Sequence, residues 1–125
     1  MSGTRPLRVT GTDGIGQARR YAVAVAGKVL DPSRLRDVAL VVSELVSNAL
    51  EHGHGHADLT VELTDDGVEI TVGSPAEGDL ELPDAPVPTT DHRGRGLSIV
   101  NSLTDAMVVS SVDDEIEVSV RIEPS

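Results

Sequence analysis

Leu35, Val38, Ala39, Val42, Leu45, Val46 and Ala49 recur at helical spacing, so one continuous apolar stripe runs along the segment from about 32 to 53. A stripe of that length must be covered by something, and the next residues say by what. Leu59, Val61 and Leu63 alternate with polar residues, as do Val68, Ile70 and Val72, which is the two-residue period of strands with one buried face. Thr64-Asp65-Asp66-Gly67 separates the two runs, and its Asp-Gly step favours a tight hairpin. A long helix against an antiparallel sheet is the simplest way to bury both patterns. Asp31 as N-cap and Pro32 at the first helical position mark where the helix begins, and Gly53 supplies its stop.

The flanking elements follow the same logic. Residues 7–10 read as a short edge strand. Gln17 to Leu30 reads as a first helix, with Ala18, Tyr21, Ala22, Val25 and Val29 on one face. Leu97, Val100 and Leu103 mark a short helix beginning near Gly94 to Gly96. Two alternating strands, 106–112 and 115–122, close the series around Asp113-Asp114. Between the hairpins, residues 74–93 lack periodicity, and Pro75, Pro83, Pro86 and Pro88 forbid a regular helix there. A stretch of that kind inside a compact domain serves as a lid or stays unstructured. The expected fold class is α+β: one domain over 1–125, a two-layer sandwich with helices on one face of a mixed, mainly antiparallel sheet.

Composition narrows the function. A chain of 125 residues without cysteine has no disulfide or thiolate metal site, yet it can bury roughly two-thirds of its unfolded surface. No apolar run approaches the about 20 residues that span a bilayer, and the N-terminus lacks a signal pattern, so the expectation is a cytoplasmic protein without membrane contact. Phe and Trp are absent and Tyr21 is the only aromatic, which removes the stacking platforms used to read single-stranded nucleic acid. A net charge of −11 repels phosphate backbones, so direct nucleic-acid binding is not expected; a basic protein is the more natural partner.

Two short segments carry chemistry. On the long helix, Glu44, Asn48, Glu51 and His52 are expected on one stripe opposite the apolar one, with Glu44 and Asn48 one turn apart. An Asn side-chain oxygen suits Mg²⁺, and a carboxylate one turn away can take a proton from an attacking hydroxyl beside it. The alternative is the solvated face of an amphipathic helix. The second segment, His92-Arg93-Gly94-Arg95-Gly96-Leu97, places glycines and two cations before a helix, where backbone N–H groups are free to bind an anion. Alone, that step is also an ordinary loop entering a helix.

Together, VVSELVSNALEHG (41–53) and HRGRGLSIVNSLTD (92–105) resemble the N-box and the second glycine box of the GHKL ATPases, in the form seen in bacterial anti-sigma-factor serine/threonine kinases. The resemblance extends over about residues 7–122. It implies ATP and Mg²⁺ as cofactors, with Glu44 as general base and Asn48 as the Mg²⁺ ligand. His52 would lie at the nucleotide rim, and Arg93, Gly94, Arg95, Gly96 and Leu97 would surround the triphosphate. It implies a sigma factor, an anti-sigma-factor antagonist, or both, as partners, and it allows a homodimer.

The chain departs from the family pattern at the adenine box, Asp-x-Gly-x-Gly. In phase with Val68, Ile70 and Val72 comes Ser74, giving Ser74-Pro75-Ala76-Glu77-Gly78, with Ser for Asp and only Gly78 kept; a shift of one residue puts Gly73 in the Asp slot. The missing charge-assisted bond to the adenine amino group is worth about 1.5–3 kcal/mol, one to two decades of affinity. ATP binding is therefore expected to be weak or lost. That leaves two functions open, a kinase acting on the antagonist and a nucleotide-independent protein-binding adaptor on the same fold. A histidine-kinase catalytic domain is not expected, since its phosphoacceptor helices would have to precede residue 7. His52, His54 and His56 could supply imidazoles to Zn²⁺ or Ni²⁺, but Gly53 and Gly55 leave their spacing loose, which favours a polar loop.

Overall fold

The structure is a computed structural model that describes residues 6–11, 13–52, 56–75, 99–112 and 115–124. The element order is β1 (Leu7–Val9), α1 (Asp13–Ala26), α2 (Pro32–His52), β2 (Ala57–Thr64), β3 (Gly67–Pro75), β4 (Ala106–Val112) and β5 (Glu115–Ile122), with residues 99–103 also helical. The strands form one sheet in the order β1-β2-β3-β5-β4, and every described ladder is antiparallel. The sheet is thus plainer than the mixed one expected.

Period two explains the register. Ala57, Leu59 and Val61 of β2, Val68, Ile70 and Val72 of β3, and Val118, Val120 and Ile122 of β5 are all buried on one face. Val61 pairs with Ile70, and Ile70 with Val120, so large aliphatic side chains line up across three strands. The helices cover this face with Ala18, Ala22 and Ala26 of α1 and Val38, Val41, Val42, Leu45, Val46 and Ala49 of α2. Alanines on α1 let the two helices approach closely, which suits a core built without large aromatics. Val100 from the 99–103 segment joins the same core.

α1 differs from its expected span of 17–30. It begins at Asp13, whose charge suits the positive end of a helix, after a turn in which the Gly14 N–H donates to the Gly11 carbonyl at 2.9 Å. It ends four residues early, because Gly27 and Leu30 close a turn onto the Val23 and Ala26 carbonyls (2.8 and 2.9 Å). Val29 consequently leaves the helical face and is 41% exposed, whereas Ala26 takes its place inside. α2 starts at Pro32 as expected, and the Asp31 carbonyl accepts from the Arg34 and Leu35 N–H groups at 3.0 Å each. Its stripe gains Val41, while Leu35 and Ala39 are only half-buried. Gly53 lies outside the described residues.

β3 extends to Pro75, so Ser74 and Pro75 belong to the sheet rather than to the aperiodic segment expected from 74 onward. Ser74 pairs with Ile116 and Pro75 with Glu115. The turn before β3 needs Gly67, whose φ is +155° and whose position would bring a Cβ into the Ile122 carbonyl oxygen. At the far side of the sheet β4 is outermost, and its Val108 is 61% exposed. No helix among the described residues is long and apolar enough to cross a membrane.

Candidate functional site

α2 delivers Glu44 and Asn48 to a shoulder of the sandwich rather than to open solvent. Both are half-buried, flanking the fully packed Leu45 and Ala49, while the outward pole of the helix carries Arg36, Leu40 and Ser47. The stripe is therefore not opposite the core, as expected, but alongside it. Neither side chain makes a hydrogen bond or ion pair among the described residues. Two half-buried polar groups one turn apart, without partners among the described residues, are open to a ligand.

The direction of α2 fixes which end of the sheet they serve. At its start, Arg34 meets the end of β5: its Nε donates to the Glu123 carbonyl at 2.9 Å and its Nη2 to Asp105 Oδ2 at 2.8 Å. Ile122 pairs with Val68, so this is the end where β3 begins. α2 then runs to His52, only a few residues before Ala57 begins β2, and Asp58 pairs with Gly73. The C-terminal half of α2 thus lies at the end of the sandwich where β3 finishes with Ser74 and Pro75.

Ser74 occupies the inward phase. It is 8% exposed, in register behind buried Val68, Ile70 and Val72, and it is the sole buried polar residue among the described residues. Gly73 is excluded from that phase: a Cβ there would meet Glu115 Oε1 and Glu117 Cγ on the opposite face. The inward phase at the end of β3 therefore belongs to Ser74 rather than to Gly73.

Other expected site residues fall elsewhere. The His52 backbone belongs to the last turn of α2, but its side chain lies outside the described residues, as do Gly78, Arg93, Gly94, Arg95, Gly96 and Leu97. Of the histidine cluster, His54 also lies outside them, and His56 Nε2 stands 4.0 Å from Asp58 Oδ2, a carboxylate that Arg8 Nε already holds at 2.9 Å. No group of three or more His, Cys, Asp or Glu side chains placed to hold a metal occurs among the described residues.

The sequence reading missed Arg34. Its Nη1 also reaches Asp37 Oδ2 (2.9 Å) and the Leu103 carbonyl (3.4 Å), and Asp105 Oδ2 accepts the Glu123 N–H at 2.8 Å. One guanidinium therefore ties the start of α2 to the end of the 99–103 helical segment and to the exit of β5. Local spacing reveals only Asp37, three positions on; its other partners lie some 70 to 90 positions away.

Comparison with known proteins agrees with this arrangement. An anti-sigma F factor of Pasteuria penetrans is 35% identical over 106 residues, 74% of this chain and 71% of that protein. One from Oceanobacillus iheyensis is 31% identical over 109 residues, 77% of this chain and 75% of the relative. A third, from Geobacillus stearothermophilus, is 32% identical over 105 residues, 74% and 72% of the two chains. Residues 12–122 match the model of the histidine kinase-like ATPase domain. A sheet with its helices on one face, an α2 bearing Glu44 and Asn48, and a match over nearly all of that sandwich place the chain in the histidine kinase-like ATPase family.

Proposed function

We propose that the chain is a cytoplasmic nucleotide-binding regulator of the anti-sigma-factor type, which sequesters a sigma factor and phosphorylates a Ser or Thr of an antagonist protein. The observation that carries this reading is the pair Glu44 and Asn48, half-buried and unpartnered among the described residues, at the sandwich end that also holds the buried Ser74. Three polar groups without partners among the described residues fit a polar ligand better than they fit a purely structural role. Similarity to anti-sigma F factors supports the class of partner.

ATP with Mg²⁺, when bound, supplies the phosphoryl group and neutralises charge on it. In this chain Asn48 would hold the metal through its amide oxygen, a hard donor of the kind Mg²⁺ prefers. Glu44, one turn earlier, is placed to take the proton from the acceptor hydroxyl. The glycine step at Gly94 and Gly96 would offer backbone N–H groups to the phosphates, with Arg93 and Arg95 adding charge and Leu97 packing beneath. His52 and Gly78 would lie at the rim. We read the Pro-rich segment 76–93 as the lid of a single-domain ATPase-like unit.

A second reading is favoured by one feature: β3 ends its inward series in a hydroxyl, not a carboxylate. On that reading the fold is a nucleotide-independent adaptor. Calorimetric titration with MgATP separates the two. Saturable heat that Asn48→Ala weakens supports nucleotide binding; no heat and no thermal shift at millimolar MgATP leaves the adaptor.

A further inference from the structure

Ser74 poses a chemical question that its neighbours do not answer. Its side chain is about nine-tenths buried, faces the helix layer at the end of β3, and has no hydrogen-bond partner among the described residues. A buried hydroxyl without a partner is costly, so the position is stable only when something donates to it or accepts from it. The groups nearest in register are apolar: Val72 two residues before it on β3, and Ile116 across on β5.

A hydroxyl carries one donor and two acceptor lone pairs, and its hydrogen turns to suit the partner. An ionised carboxylate can only accept. The two purines differ at the corresponding edge: adenine presents an amino donor at C6, guanine a carbonyl acceptor. A carboxylate held directly opposite the C6 group, out of reach of the guanine N1–H, favours adenine and opposes guanine, because two acceptors then meet with no proton between them. A hydroxyl imposes no such choice, since it accepts from the adenine amino group or donates to the guanine oxygen.

We infer that Ser74 meets the C6 group of a bound purine and so makes this a purine site rather than an adenine site, taking guanine nucleoside triphosphates about as readily as adenine ones. The inference rests on the nucleotide-binding reading above and adds the identity of the base. Discrimination is then a matter of one side chain. Restoring an acceptor-only group returns it, because a buried site with a fixed hydrogen-bonding character rejects the mismatched ligand strongly.

The test is equilibrium titration of the full chain with MgATP and MgGTP, for wild type, Ser74→Asp and Ser74→Ala, with circular dichroism melts as a folding control. Wild type is expected to bind the two nucleotides within about fivefold of each other. Ser74→Asp is expected to tighten MgATP and weaken MgGTP by about tenfold each, the size of one charge-assisted hydrogen bond. Ser74→Ala, which creates no buried charge and keeps the fold, is expected to weaken both nucleotides to a similar extent. A wild-type preference for ATP beyond about 30-fold overturns the inference, as does Ser74→Ala binding both nucleotides like wild type. Binding of MgATP by Ser74→Asp alone also overturns it, while leaving the site intact. If no variant binds either nucleotide, the nucleotide reading itself fails.

Discussion

Glu44 and Asn48 are neighbours one helical turn apart, yet the chemistry assigned to them is separable. Glu44→Gln keeps the shape and removes the proton acceptor, so phosphoryl transfer to the antagonist is expected to fall by about 100-fold or more with MgATP affinity nearly unchanged. Asn48→Ala removes the metal ligand, and MgATP affinity is expected to fall at least tenfold; titration calorimetry and a labelled-phosphate assay together read the split. Gly67 matters for a different reason. A methyl group there would collide with the Ile122 carbonyl oxygen, so Gly67→Ala should cost about 2 kcal/mol in urea denaturation. Much of this scale is legible in the sequence, because the motif spacing on α2 and the Asp-Gly turn are local. Two facts are not: that Glu44 and Asn48 lie on the shoulder of α2, and that Ser74 lacks a partner among the described residues. Both depend on what the rest of the chain brings to those positions.

Elements read from period two were the easiest to place. β4 and β5 match their expected spans of 106–112 and 115–122, because alternating aliphatic residues admit no other face assignment. α1 was misplaced by four residues at each end, since Gly14 and Gly16 look like loop and the alanine-rich face gives little contrast with its surroundings. The Arg34 junction was invisible for the reason of distance along the chain. It predicts that Arg34→Met, which keeps most of the packing and loses every polar contact, destabilises the fold by about 1–3 kcal/mol. The loss should appear in hydrogen exchange as faster opening of residues 99–103 and 121–123, while the pairing of β2 with β3 stays protected. Uniform loss of protection throughout the sheet would argue against a local clasp.

For the whole molecule the dominant physical fact is charge. At −11 over 125 residues the surface repels itself, and the ion pairs between described residues lie largely at the surface, where each contributes little. Screening should therefore help more than it harms: raising NaCl from about 20 to 500 mM is expected to increase Tm, as scanning calorimetry would show. A falling Tm would mean that the surface pairs outweigh the repulsion. The same change should weaken association with a basic partner.

Salt has another side, set by the outermost strand. β4 reads AMVVSSV, with neither charge nor proline, and its Val108 is largely open to water. Strands at a border usually carry a lysine, a kink or a cover that discourages strangers from zipping on. No further strand pairs with it among the described residues, and there that duty falls on coulombic repulsion between whole molecules. Concentrated brine, or a pH near the isoelectric point of about 4.5, removes the safeguard, and fibrillar clumping should start at this border.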